Sequence, residues 1–108
     1  MKVVYKIWFE NEGKAFGDGP YLLLKGIEKT GSLHQAALGM EMSYQKAWNI
    51  INACEKRLGF NIIERRVGGA SGGGSNLTDS GKVFMNKYEQ FKEDIHIAVE
   101  EIYRKHFG

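Results

Sequence analysis

The sequence predicts an α+β fold: a winged helix-turn-helix with an N-terminal β-strand or hairpin and a long C-terminal dimerisation helix. Three patterns carry that expectation. Residues 32–58 read as two helices around a tight turn, residues 60–78 as two strands around a glycine-rich tip, and residues 79–107 as one helix with a continuous apolar seam. The 108 residues suffice for one domain with a modest core.

The chain begins with Lys2 to Glu10, where Val3, Tyr5, Ile7 and Phe9 alternate with Val4, Lys6, Trp8 and Glu10. Both faces are largely apolar, which predicts a strand covered on both sides or one meeting a second copy of the chain. Trp8 reads as a buried aromatic rather than a ligand platform. Asn11 to Lys14 is a turn, from which Ala15-Phe16 pairs back as a short hairpin. Gly17-Asp18-Gly19-Pro20 then breaks the strand, with Pro20 suited to a first helical turn. A support helix is expected over Tyr21 to Thr30, with Leu22, Leu23, Ile27 and Leu24 inward and Gly31 ending it.

Ser32 with Gln35 three residues later makes a capping box for the next helix, in which Ala36 and Ala37 let a neighbour cross closely. Gly39 to Met42 is the turn, and Ser43 caps the helix that follows. There Ala47, Ile50, Ile51, Cys54 and Leu58 form one apolar stripe. Gln45, Asn49, Asn52 and Lys56 fall on the opposite face, and Gly59 ends the helix behind Lys56 and Arg57, cations that suit its dipole. A face of amides and cations matches the edge of a base pair, since Gln and Asn bond adenine bidentately and Lys reaches guanine or phosphate.

Phe60 to Val67 reads as a strand, buried at Ile62-Ile63 and basic at Arg65-Arg66. Gly68 to Ser75 is a tip poor in side chains, and Asn76 to Thr78 returns as the second strand of a wing. The tip is no nucleotide-binding P-loop, because no Lys follows its last glycine and the next helix starts later. Thr78-Asp79 opens that helix, which reaches about His106. Phe84, Tyr88, Phe91, Ile95, Ala98 and Ile102 repeat at four, three, four, three and four, a heptad seam widened by Val83, Val99 and Tyr103. The helix is too long for one small core to cover, so pairing with its twin is expected.

Composition sets outer bounds. Net charge is only +2, a weak pointer to nucleic acid. Between residues 46 and 66, however, Glu55 and Glu64 are the only acids among several Lys and Arg. The single cysteine, Cys54, excludes an internal disulfide and fits a reducing cytoplasm; on the apolar stripe it reads as core filler. No apolar run is long enough to span a bilayer, and no signal-peptide pattern opens the chain. His34, His96 and His106 lie far apart without metal-ligand spacing, and the Glu93-Asp94 and Glu100-Glu101 pairs read as solvated helix surface. No constellation for an enzyme, metal or cofactor is found.

Several of these segments together carry a family resemblance. They are Thr30-Gly31-Ser32, Ala36-Ala37, Met42-Ser43-Tyr44-Gln45-Lys46-Ala47-Trp48, Leu58-Gly59-Phe60, Glu64-Arg65-Arg66, the glycine tip, and Leu77-Thr78-Asp79-Ser80-Gly81. The chain resembles, over nearly its whole length, the DNA-binding half of the molybdate-responsive ModE regulators, a branch of the LysR-like winged helices. The Ser-Tyr-x-Lys-Ala-Trp run with a glycine-rich wing is the specific part. The resemblance implies a homodimer, with the long last helix and the N-terminal strand in the interface. It also implies that Ser43, Tyr44, Gln45 and Lys46 lie at the DNA with Arg65 and Arg66 on the wing, and that Trp48 props the helix from the side. Glu41 departs from the pattern, which usually has Gly there. The family's C-terminal molybdate-binding modules have no counterpart in these residues, so molybdate sensing is not carried over.

The expectation is therefore a sequence-specific transcriptional regulator binding double-stranded DNA, as a homodimer, at a near-palindromic site. Gln45, Lys46 and Asn49 would read or abut base edges, Ser32, Ser43 and Tyr44 would hold phosphates, and Arg65 and Arg66 would add backbone contacts. Phe84, Tyr88, Phe91, Ile95, Ala98 and Ile102 would form the dimer interface. A separate chain supplying an effector-binding domain is left open, and no membrane partner is expected. The alternative is a winged-helix interaction or assembly module that does not touch DNA.

Overall fold

A computed structural model of the chain describes residues 1–66 and 74–108. Among them the order is β1 (Phe9–Glu10), β2 (Lys14–Phe16), α1 (Asp18–Thr30), α2 (Leu33–Gly39), α3 (Tyr44–Leu58), β3 (Ile63–Arg66), β4 (Gly74–Leu77) and α4 (Asp79–Phe107). β1 pairs antiparallel with β2, and β3 with β4, as two separate two-stranded sheets. This is an α+β fold consistent with a winged helix.

Local chemistry sets the helix ends. Gly31 and Gly59 close α1 and α3 in the left-handed conformation, at φ of 72° and 86°. The Ser32, Ser43 and Thr78 side chains cap α2, α3 and α4 by accepting from the backbone N–H of Gln35, Lys46 and Gly81. The predicted capping box is half made: the Ser32 N–H donates to Thr30 Oγ1 at 3.2 Å. Helix α1 starts at Asp18, earlier than the expected Tyr21. Its apolar stripe is then Pro20, Leu23, Leu24 and Ile27, spaced for one helical face, while Leu22 lies off the stripe and is exposed. Leu22 is thus corrected from core to surface.

Phe16, Leu23, Leu24, Ile27, Ile51, Ile62, Met85 and Tyr88 are the largest side chains wholly enclosed in the core. Phe16 stands edge-on to Phe84 and to Tyr88, with ring centroids 4.8 Å apart in both pairs. Cys54 is core, as its place on the stripe implies, and burial pushes its thiol up to about 11. Helix α1 crosses α2 closely, since a Cβ on Gly26 would lie 2.8 Å from the Ala36 Cβ.

The N-terminal strand is much shorter than expected. Only Phe9 and Glu10 pair, because the chain's own partner, β2, is three residues long. Residues 1–8 form no strand, and Trp8 is 49% exposed with its indole N–H on Glu10 Oε1 at 3.0 Å. A strand needs a second backbone to hold it, whatever its side chains favour. The hairpin turn lies where expected: Asn11 to Gly13 reverses the chain, and Ala15 and Phe16 are buried.

Candidate nucleic-acid interface

Helix α3 carries the candidate surface. Its buried side is Ala47, Ile51 and Cys54, with Ile50 and Leu58 partly covered. Rotated away from that stripe, Gln45, Lys46, Asn49, Asn52 and Lys56 are all exposed. Gln45 Nε2 donates to Asn49 Oδ1 at 3.0 Å, one turn on. The bond leaves the Gln45 carbonyl as an acceptor and the Asn49 amide N–H groups as donors for other partners.

At the start of α3, the Ser43 Oγ accepts the Lys46 N–H at 3.1 Å, and the hydroxyl proton stays available to an acceptor outside. Tyr44 is half-exposed, with its ring centroid 6.1 Å from the His34 ring. Ser32 sits at the start of α2 in the equivalent capping role, partly covered. Glu41, in the turn ahead of α3, has φ of 55°, the left-handed conformation that glycine adopts freely. The substitution noted in the sequence therefore falls where the backbone favours Gly.

The wing is fastened to α3 at its base. Glu55 Oε2 accepts the backbone N–H of Ile62 at 2.8 Å and of Ile63 at 3.3 Å. Thr78 closes the other side: its N–H donates to the Ile62 carbonyl, and its hydroxyl donates to the Asn61 carbonyl while capping α4. Ser75 N–H donates to the Gly31 carbonyl at 2.9 Å, tying β4 to the α1–α2 junction. A Cβ on Gly81 would fall on the Ile62 carbonyl oxygen, so only glycine lets α4 start this close to β3. Arg65 and Arg66 lie in β3, opposite Ser75 and Gly74. Gly74 and Ser75 belong to β4, whereas the rest of the expected glycine tip, from Gly68 to Gly73, lies outside the described residues.

Two arrangements were not visible in the sequence. Arg65 lies over the Trp48 ring, its guanidinium carbon 5.4 Å from the ring centre. The β1–β2 turn also docks beside the far end of α3: Asn11 Nδ2 donates to the Arg57 carbonyl at 2.8 Å, and Arg57 donates to the Lys14 carbonyl at 3.0 Å. That contact makes an open groove of about 580 Å³ whose lining includes Asn11, Glu12, Asn49, Asn52 and Lys56. Residues more than forty positions apart meet there, so no local signal announces it.

The expected dimer seam divides in two. Tyr88 is buried and Phe84 partly buried, both packed in the chain's own aromatic core. Tyr88 is thereby corrected from seam to core. Phe91, Ala98 and Ile102 are exposed and Ile95 partly covered. Among the described residues, no group of three or more His, Cys, Asp or Glu could hold a metal ion, and no helix is long and apolar enough to cross a membrane.

The two helices around a tight turn, followed by an anchored two-stranded wing, define the class: a winged helix-turn-helix. No protein-family model matches the chain. It is 31% identical over 90 residues to the molybdenum transport protein ModE of Azotobacter vinelandii, covering 83% of this chain and 33% of that protein. It is 37% identical over 67 residues to the DNA-binding transcriptional dual regulator ModE of Escherichia coli K12, covering 62% and 26%. Against the molybdenum-pterin-binding protein MopB of Rhodobacter capsulatus it is 33% identical over 79 residues, covering 73% and 29%. The chain's homologues are thus ModE and MopB proteins, at 31–39% identity, consistent with a ModE-type winged-helix domain. It spans about a third or less of the length of these curated relatives.

Proposed function

We propose that this chain is the DNA-binding part of a transcriptional regulator and acts as a homodimer on a near-palindromic site. The observation that carries the reading is the bare amide-and-lysine side of α3, beside a basic wing strand. Relatives named as transcriptional regulators support it. Gln45, Lys46 and Asn49 meet base edges in the major groove, where the Gln45–Asn49 bond presents a ready acceptor and donor. Ser32, Ser43 and Tyr44 hold phosphates near the helix starts. Arg65 and Arg66 add backbone contacts that fix register and carry little sequence information. Two α3 helices related by a dyad meet half-sites about 34 Å apart, or a multiple of that.

Selection of bound duplexes from a random pool tests the reading. Enrichment of an inverted repeat is expected, and binding should fall steeply as salt rises. Replacing Arg65 and Arg66 together with Ala should weaken all duplexes alike and flatten the salt dependence by about two phosphate contacts. A chain that retains no duplex at low salt is instead an interaction module.

A further inference from the structure

We propose that Trp48 is a positioning residue that aims Arg65 at the nucleic-acid backbone, so that α3 and the wing dock as one unit. The proposal rests on the DNA-binding reading above and adds to it a specific coupling between two elements.

The geometry has a fixed side and a free side. Trp48 is partly buried and packs against the core, which restricts its ring. Arg65 is exposed, with its guanidinium carbon 5.4 Å from the ring centre. The nearby carboxylates are occupied elsewhere: Glu55 takes two backbone N–H groups, and Glu64 accepts from Asn76 Nδ2 at 2.6 Å. Among the described residues Arg65 makes no ion pair, so its charge is open to an outside partner while an aromatic face restricts its orientation. Both side chains border a small cleft of about 140 Å³ between α3 and β3, with Asn52 and Asn61 on its walls. Asn52 belongs to the exposed side of α3, one turn beyond Trp48, so a duplex lying on that side meets the held guanidinium. A planar guanidinium stacks in this way, whereas an ammonium does so less well.

The test measures duplex affinity against salt for the intact chain and for Trp48→Leu, Trp48→Met, Trp48→Phe, Arg65→Ala, Arg65→Lys and the Trp48→Leu/Arg65→Ala pair. Loss of the ring should weaken binding about two- to fivefold and lower the salt slope as Arg65→Ala does. The double variant should bind no worse than Arg65→Ala alone, and Trp48→Phe should recover most of the loss. Losses that multiply in the double variant, or an unchanged salt slope in folded Trp48→Leu or Trp48→Met, overturn the proposal. If both of those variants unfold by circular dichroism, the cost of Arg65→Ala in the Trp48→Phe chain decides: a smaller loss than in the unaltered chain supports the stack, and an equal loss overturns it. An unaltered chain that binds no duplex at low salt overturns the regulator reading itself; one that binds, with multiplying losses, overturns only the role of Trp48.

Discussion

Glu41 occupies the turn between α2 and α3 at φ of 55°, with its N–H on the Leu38 carbonyl at 3.1 Å. A side chain with a Cβ is strained there by about 1 kcal/mol, and glycine is not. Its carboxylate is a separate matter, since a negative charge ahead of a helix start is mildly favourable. Two uncharged replacements separate the effects. Glu41→Gly should be about 0.5–1 kcal/mol more stable than Glu41→Ala in equilibrium urea unfolding. Equal midpoints would mean that the turn relaxes at no cost and that Gly has no advantage here. Neither variant carries the carboxylate, so both should also bind DNA more tightly than the unaltered chain if that charge faces phosphate.

Helices α1 and α4 are clasped by groups that titrate in acid. Lys92 Nζ lies 2.7 Å from Asp18 Oδ1, and Tyr21 donates to Glu89 Oε2 at 2.7 Å, with Lys25 at 3.5 Å from the same oxygen. The Lys92 bond holds Asp18 below the usual carboxylate range, and the Tyr21 hydroxyl does the same for Glu89. Carboxyls whose folded values are lowered stabilise the fold above their unfolded range, near pH 4, and lose that contribution as pH falls through the lowered values. Both are well exposed, so solvent screening limits them to about 0.5 kcal/mol each. Asp18→Asn/Glu89→Gln should therefore cost about 1 kcal/mol at pH 7 and close to nothing at pH 2, read as converging urea midpoints. Midpoints equally far apart at both pH values would assign the clasp to packing alone. The helices themselves were legible because their ends are written locally, in Ser32, Ser43, Thr78, Gly31 and Gly59. The N-terminal strand was not, since Val3 to Trp8 have strand character but, among the described residues, no backbone pairs with them. Nor were Arg57 on Lys14 or Arg65 over Trp48, which join side chains brought near only by the fold. The face of α3 could be read from its 3.6-residue period, although what lies against such a face could not. Tyr88 illustrates the difference: it falls on the apolar side of α4, as its spacing requires, yet the chain's own core covers it.

Helix α4 is 29 residues long, about 43 Å at 1.5 Å per residue, and its buried positions are Gly81, Met85 and Tyr88. Beyond them Phe91 is 43% exposed, Ile97 47%, Ile102 59% and Phe107 74%. The N-terminal segment runs alongside: the Phe9 and Phe91 ring centroids are 5.4 Å apart, and the Tyr5 hydroxyl lies 3.5 Å from His96 Nδ1. Val3, Val4, Tyr5 and Trp8 thus add exposed apolar surface near the side where α4 leaves the core. A helix of this length with apolar residues left exposed gains little from its own domain, and in the homodimer proposed above a second copy would cover them by symmetry. The same copy would offer residues 1–8 a backbone to pair with. Light scattering should accordingly give twice the 12.2 kDa chain mass at micromolar concentration. Ile102→Glu touches nothing in the described core, so its circular dichroism should keep the helical signal of the domain while the mass falls toward one chain. Affinity for an inverted repeat should fall with it far more than affinity for a single half-site, because only the repeat is gripped twice. An unaltered chain that stays monomeric at tens of micromolar, or an Ile102→Glu chain that still pairs, would mean that α4 extends over its own domain in solution and that the two half-sites are not read together.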